Sequence, residues 1–394
     1  MVSNKTDWIE KEIAKLKSAG LYNEAPTLKS PVSAHVKLNG KPLVNFASNN
    51  YLGLASDKRI INAACAAMKK YGVGPAAVRS IAGTSVLHKK LEKELAKFKK
   101  AEKVLTFQSG FAANLATIPA LVGEEDVIFS DELNHASIID GCRLSKAKVV
   151  RYQHNNARDL EKQIKAEKGY RRALSITDGV FSMDGDIADL PGLVKIADKH
   201  KILLMVDDAH GEGVLGKGGR GIVDHFDLHG KVDIEVGTMS KAFGVVGGLV
   251  AGKKVIIEWL SQRARPFLFS SAMTIPDVAA CLEAVKILTK SDNRVKKLWE
   301  NAGYLKDQLS ILGFDLGKSE TPIVPVIIGE EKTTREFARR LREHAIFAMP
   351  ITYPTVALGR ARIRLMNSAI HSKEDLDHTA EAFAHVGKEL KIIQ

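Results

Sequence analysis

The sequence predicts an α/β protein in which a mostly parallel sheet lies between helices, followed by a smaller α+β unit. Three observations predict it. From residue 86 onward, stretches with helical apolar spacing alternate regularly with short β-rich stretches, the βαβ rhythm of a doubly wound domain. The β-rich stretches are apolar without strict alternation, as expected of strands buried on both faces of a parallel sheet. After about residue 275 the rhythm breaks, and a long helix precedes isolated strands. The expected division is an N-terminal helix and hairpin segment (1–45), a large α/β domain (46–275) and a small α+β domain (276–394).

Residues 6–19 have amphipathic spacing, with Thr6 as N-cap and Gly20 closing the helix. Strands at 34–38 and 43–47 flank Asn39-Gly40, a strong hairpin-turn dipeptide. The loop Ser48-Asn-Asn-Tyr-Leu-Gly-Leu54 follows, and its Asn49 and Asn50 either bind a ligand or cap turns. A helix at 58–70 is ended by Gly72 and Gly74, and the small-residue stretch 74–84 reads as a closely packed loop. A helix at 86–100 leads into a strand at 103–107. Gln108-Ser-Gly-Phe-Ala-Ala-Asn114 then opens a helix, with Ser109 and Gly110 placed either for an anion or simply for a tight turn. Strands at 126–130, 147–152, 172–177, 202–206 and 233–237 come next, with helices such as 160–167 and 191–200 between several of them. In the last third, helix at 276–289 continues as further helix to about 312, then a strand at 322–329, a helix at 333–344 and a strand at 361–366. Ser372-Lys-Glu-Asp375 has the form of a capping box opening the final helix.

Composition narrows the function class. With 45% hydrophobic and 26% charged residues, the 394-residue chain is an ordinary globular one with room for a large core. No apolar run approaches the ~20 residues that span a bilayer. The N-terminus interleaves acids with its apolar residues, unlike a signal peptide. Cys65, Cys142 and Cys281 lie far apart and form neither a metal-type spacing nor a disulfide framework, which points to a reduced, cytoplasmic setting. The net charge is +12, from 58 basic and 46 acidic residues, but the lysines of 88–102 are interleaved with glutamates as on a solvated helix face. Aromatics are 6% and no nucleic-acid-binding motif is present, so no nucleic acid is expected. A polyanion such as coenzyme A would gain from the same positive field.

Polar residues recur just after the strands, where a doubly wound sheet binds its ligand. Val206-Asp-Asp-Ala-His-Gly211 places Asp207 at a strand end and His210 just beyond; the carboxylate can hold a proton on a heterocyclic nitrogen and the imidazole can meet a phenolic oxygen. His135, in Asp131-Glu-Leu-Asn-His-Ala-Ser137, can stack on a flat ring or belong to a polar turn. Thr177-Asp-Gly-Val-Phe-Ser-Met-Asp-Gly185 carries Ser182 from another strand end. Val236-Gly-Thr-Met-Ser-Lys-Ala-Phe-Gly244 sets Lys241 among small and hydroxylated residues. It is either a surface lysine in a Gly-rich turn or a desolvated amine able to form a Schiff base. Gly211-Glu-Gly-Val-Leu-Gly216 matches G-x-G-x-x-G but is rejected as a nicotinamide site, because Lys217-Gly-Gly-Arg-Gly221 prevents the helix that should receive a pyrophosphate. No G-x-S-x-G elbow marks a serine hydrolase. Arg360, Arg362 and Arg364 share one face of a strand, where an arginine can clamp a carboxylate or remain solvated.

Together these residues resemble the α-oxoamine synthase family of pyridoxal-phosphate enzymes, from about residue 45 to 390. The resemblance rests on Asn134-His-Ala-Ser137, Thr177 to Gly185, Val206-Asp-Asp-x-His210 and Thr238-x-Ser-Lys-Ala242. It implies the PLP-dependent transferase fold type I and pyridoxal 5'-phosphate as cofactor. By the same resemblance Lys241 carries the Schiff base and serves as base and acid, Asp207 pairs with the ring nitrogen, His210 meets the ring hydroxyl, and His135 stacks on the ring. Gly110, Phe111, Ser182 and Thr238 surround the cofactor and its phosphate, while Ser271 and Ala272 reach the phosphate of a partner subunit in a homodimer with a shared active site. Asn49 and Arg364 hold the substrate carboxylate. The substrates implied are glycine (or alanine) and an acyl-CoA. The stretches 134–146 and 262–270 look closer to the glycine C-acetyltransferase branch, whereas 177–190 looks much like the 8-amino-7-oxononanoate synthases. The expected reaction is glycine plus acetyl-CoA, giving 2-amino-3-oxobutyrate and CoA. The alternative is decarboxylating condensation of L-alanine with a pimeloyl thioester, as in biotin synthesis, or mixed acyl specificity. A non-catalytic α/β protein of the same fold is disfavoured by the complete lysine, aspartate and histidine set.

Overall fold

The computed structural model describes residues 4–18, 21–22 and 24–394. The first helix runs Asp7–Ser18, and its expected stop at Gly20 lies outside the described residues. The hairpin of β1 (His35–Leu38) and β2 (Lys41–Asn45) turns at Asn39 and Gly40, both with positive φ, as its dipeptide predicts.

Seven strands build the central sheet: β3 (Lys103–Phe107), β4 (Val127–Asp131), β5 (Lys148–Tyr152), β6 (Ala173–Asp178), β7 (Leu203–Asp207), β8 (Ile234–Thr238) and β9 (Gly248–Gly252). Their order is β3-β9-β8-β7-β6-β4-β5, parallel except for β9, which is antiparallel to both neighbours. β4, β6, β8 and β9 are buried along their whole length, which explains why their sequences do not alternate. One face packs on the helices Gly110–Leu121, Ala136–Ser145 and Lys254–Arg263 through Ala113, Ala116, Ile138 and Ile257. The other packs on Val86–Lys99, Ala157–Ala166, Leu190–His200 and Ile275–Lys290 through Leu91, Leu160, Leu193 and Val278. This is the doubly wound arrangement expected. β9 is the addition: its apolar run returns along β8 after the lysine-bearing turn.

The chain closes with a separate antiparallel sheet, in which β10 (Ile323–Gly329) and, past the short β11 (Ile346–Phe347), β12 (Met349–Ile351) flank β13 (Ala361–Met366). Helices Asn293–Ile311, Glu331–Glu343 and Lys373–Glu389 cover it around Leu305, Phe337 and Phe383. Ser372 and Asp375 form the expected reciprocal capping box. β11 pairs in parallel with β2, so the N-terminal hairpin shares a small sheet with the C-terminal part of the chain. The glycine-rich 211–221 segment remains a turn, followed only by the four-residue helix Ile222–His225, in keeping with its rejection as a dinucleotide site. No helix among the described residues is long and apolar enough to cross a membrane.

Candidate active site

The parallel strands end on one edge, and the residues that follow them converge there. β7 ends at Asp207. Asn114 Nδ2 donates to Asp207 Oδ2 at 2.6 Å and to Ser137 Oγ at 2.8 Å, and the Ala209 N–H donates to Asp207 Oδ1 at 3.0 Å. Both carboxylate oxygens are thereby oriented. Beyond β4, Asn134 ties two strands together: its Nδ2 donates to Ser130 Oγ and to the Ile176 carbonyl, and its Oδ1 accepts from the Asp178 N–H at 2.7 Å. The His135 N–H donates to Asp178 Oδ2 at 2.9 Å, and His135 Nδ1 lies 2.7 Å from Ser137 Oγ. Burial, reinforced by the neighbouring Asp207 charge, pushes the Asp178 carboxyl well above the usual carboxylate range.

Lys241 leaves the end of β8 in a turn fixed by Met239 N–H to the Gly247 carbonyl (2.9 Å) and Thr238 Oγ1 to the same carbonyl (3.0 Å). Gly244 is required in that turn: its φ is +74°, and a Cβ there would stand 2.4 Å from Ala55 N. Burial lowers the proton affinity of the Lys241 amine, while Asp207 and Asp178 oppose it. His210 is likewise held below the ordinary histidine range by burial, with Lys241 and Arg364 adding to the effect. The Tyr51 hydroxyl lies 2.8 Å from His210 Nδ1, with the two rings edge-on at 85°. When that hydroxyl donates, the imidazole proton sits on Nε2.

These groups line a cavity of about 200 Å³. Gly110, Phe111, His135, Ser182, Asp207, His210, Thr238 and Lys241, all singled out from the sequence, are on its wall, with Ser109, Ser137, Asp178, Val180 and Ala209. The start of helix Gly110–Leu121 packs bare against β8, since a Cβ on Gly110 would stand 3.0 Å from Thr238 Cβ. Ser109 caps this helix by accepting from the Ala112 N–H, so the helix start edges the cavity as an anion site would. Arg364, on β13, stands behind the wall, with Nη1 donating to the Ser182 carbonyl at 3.1 Å. Among the described residues, Arg364 Nε and Asn49 Oδ1 are buried without hydrogen-bond partners. Asn49 and Arg364, both expected at the site, are not on the cavity wall, nor are Ser271 and Ala272. Ser271 pairs with Val78 and Ala272 N–H donates to the Ala77 carbonyl, at the loop 74–84.

A desolvated amine, an oriented carboxylate, two imidazoles, a bare helix start and a spare guanidinium N–H fit pyridoxal phosphate. The profile of the family described as aminotransferase class I and II matches residues 41–383. An 8-amino-7-oxononanoate synthase of Thermosipho melanesiensis is 59% identical over 383 residues, covering 97% of this chain and 98% of the relative. A structure of serine palmitoyltransferase from Sphingomonas wittichii superposes with a TM-score of 0.94 at 30% identity, covering 100% of both chains. A structure of SPT with a PLP internal aldimine matches with the same score and identity over 99% of each chain. The chain belongs to the α-oxoamine synthases within the class I and II aminotransferase family. This α-oxoamine synthase has fold type I, takes pyridoxal phosphate as cofactor and transfers an acyl group.

The expected pairing of glycine with acetyl-CoA is overturned. Five further curated relatives, 52–58% identical over nearly the full length, are also 8-amino-7-oxononanoate synthases. The structure gives the physical reason the sequence misled. The stretch 134–146, which favoured the acetyltransferase branch, is mostly helix and gives the cavity only His135 and Ser137; 262–270, also helical in large part, gives it nothing. The stretch 177–190, which resembled the oxononanoate synthases, places Asp178, Val180 and Ser182 on the wall. Sequence reasoning on this α-oxoamine synthase also missed Asn114, Asp178 and Tyr51. Asn114 had a signal, as a lone amide in the otherwise apolar helix Gly110–Leu121.

Proposed function

We propose that the chain condenses L-alanine with a pimeloyl thioester to give 8-amino-7-oxononanoate, the free thiol and CO₂. The observation that carries this reading is the shared name of the six relatives at 52–59% identity over at least 97% of the chain. The new bond joins the alanine α-carbon to the thioester carbonyl carbon; the thiolate leaves from that carbon, and the α-carboxylate departs as CO₂.

When bound, the cofactor supplies an electron-poor ring that stabilises negative charge at the amino acid α-carbon. The chain's residues do the rest. Lys241, its proton affinity lowered by burial, is the amine that attaches the cofactor and then moves the α-proton. Asp207, braced by Asn114 and Ala209, holds a proton at the ring nitrogen. His210, with Tyr51 at its Nδ1, would present Nε2 as a donor to the ring oxygen, and His135 would cover the ring. The N–H groups of Gly110 and Phe111, with Thr238, take the phosphate. Arg364 Nε, a buried donor without a partner, holds the alanine carboxylate until it leaves, and Asn49 joins it only through its Nδ2, since its unpartnered Oδ1 is an acceptor. Ser271 is exposed and lies off its own cavity, which supports a second copy receiving it and Ala272 at its phosphate in a homodimer with a shared active site.

Thiol and CO₂ release measured with L-alanine or glycine against pimeloyl-, acetyl- and succinyl-CoA tests the substrate assignment. L-Alanine with pimeloyl-CoA is expected to exceed the other pairs at least tenfold in kcat/KM; equal turnover of glycine with acetyl-CoA would refute it. Lys241→Ala is expected to bind pyridoxal phosphate without a reducible covalent link, and a borohydride-trapped adduct in that variant would defeat the role given to Lys241.

A further inference from the structure

Behind the cavity floor lies a group of charges that the chemistry above does not use. Successive side chains of a strand point to opposite faces. Asp207 turns toward Asn114, so Asp208 turns to the other side of the sheet. There it meets Lys99, the last residue of helix Val86–Lys99, which is only 2% exposed. The Lys99 ammonium lies 3.2 Å from Asp208 Oδ2, 3.2 Å from Glu212 Oε1 and 3.1 Å from Glu235 Oε2, and it donates to the Arg220 carbonyl at 2.7 Å. All three carboxylates are buried. Glu212 occupies the space a side chain on Gly237 would need, since a Cβ there would stand 2.2 Å from its carboxylate. It therefore rests directly against the strand whose end carries Thr238 and Lys241.

One ammonium cannot neutralise three carboxylates. Burial pushes Asp208 up to about 8 and Glu212 up to about 7, with Lys99 pulling both down, so Glu212 carries its full charge only above neutral pH. Glu212 also faces Asp207 and Glu235, which raise it further. Around the Lys241 amine, Asp207, Asp178 and Glu212 favour its charged form and Arg364 opposes it. His135 and His210 complete the titratable groups lining that side, and burial keeps both low. Glu212 thus belongs to both sets of charges, one on each side of the backbone of β8.

We propose that Glu212, held in place by Lys99, is a positioning residue whose carboxylate behind Gly237, once ionised above neutral pH, helps retain the proton on the nitrogen of Lys241 in the cofactor-loaded enzyme. The proposal rests on Lys241 being the cofactor-bearing residue.

The test is a pH titration of the visible absorption of the purified holoenzyme, for the wild type and for Glu212→Gln, Glu235→Gln and Glu92→Gln. The midpoint in Glu212→Gln is expected to fall by up to about one pH unit, the scale of one full charge at roughly 10 Å in an effective dielectric of about 20. Glu92, buried against Arg79 at 2.8 Å and remote from the cavity wall, is the control: its variant is expected to melt lower with no change of midpoint. An unchanged midpoint in a folded Glu212→Gln enzyme, whatever its melting temperature, would reduce the cluster to a structural role and overturn the proposal. Should that variant be insoluble, Glu235→Gln is read instead: losing that charge lets Glu212 ionise more fully, so an upward shift supports the proposal, and no shift, a downward shift or insolubility there as well counts against it. A wild type with no covalently held chromophore would instead refute the assignment of Lys241.

Discussion

At the scale of single residues, the cavity is ordered because polar groups are buried with partners that fix their direction. Asp207 is 6% exposed and takes two donors; Asn114 supplies the shorter bond, 2.6 Å. Removing a donor from a buried charged acceptor costs about 1.5–3 kcal/mol. Asn114→Leu is therefore expected to weaken pyridoxal phosphate retention roughly 10- to 100-fold, read by equilibrium dialysis, and wild-type retention would show that Asp207 is held without it. Gly237→Ala would drive a methyl group into the Glu212 carboxylate that Lys99 anchors, at a cost of about 1–3 kcal/mol in thermal or denaturant unfolding. Lys241, Asp207, His210 and His135 were legible in the sequence because each follows a predicted strand, where function is expected on this architecture. Tyr51 and Asp178 were not, because nothing local to Tyr51 reveals His210, 159 positions away, and nothing local to Asp178 reveals that His135 will cap it.

At the scale of elements, most predicted strands and helices agree with the structure to within a few residues. β9, β11 and β12 were not legible. β9 lies so close behind the lysine turn that its apolar run reads as part of the loop, and β11 and β12 have two and three residues, too few for a period. The loop between β6 and helix Leu190–His200, which carries Ser182, is held by a clamp of side chains. His154 Nδ1 lies 3.1 Å from Asp131 and its Nε2 3.0 Å from Asp186. Burial alone would lower the His154 imidazole, but the hydrogen bonds to the two carboxylates outweigh it and raise it to about 10. A histidine raised on folding stabilises fully below its unfolded value of about 6.5, and the stabilisation fades as pH climbs toward the folded value. The melting-temperature gap between wild type and His154→Gln is thus expected to be widest at pH 5.5–6 and to close between pH 7 and 10. A gap that is constant or grows over that interval would show that the clamp is not ionic.

At the scale of the whole molecule, the loop that carries Ser182 to the cavity wall is braced by the C-terminal part of the chain. From β13, Arg362 Nη1 donates to Asp184 Oδ1 at 2.6 Å and to the Met183 carbonyl at 2.9 Å, two residues before Arg364 reaches the Ser182 carbonyl. Thr321 and Glu320 bind the Gly185 carbonyl from the same side. Arg362→Leu is expected to release this seam, raising KM for the amino acid about 10-fold or more while the cofactor's visible absorption persists; an unchanged KM would show that Arg364 is positioned without its neighbour. The sequence by itself determined the doubly wound α/β architecture, the capping box of the last helix, the cofactor family and the lysine, aspartate and histidines that line the cavity, because these follow from local periodicity and from residues fixed to strand ends. Only the tertiary structure decided that Asn114, Asp178 and Tyr51 join them, that Asn49, Arg364, Ser271 and Ala272 stand off the cavity wall, that the N-terminal hairpin pairs with β11, and that Lys99 gathers three carboxylates behind Gly237. Each of these is a contact between residues distant in the chain, and only the packing of whole elements brings such residues within hydrogen-bonding distance.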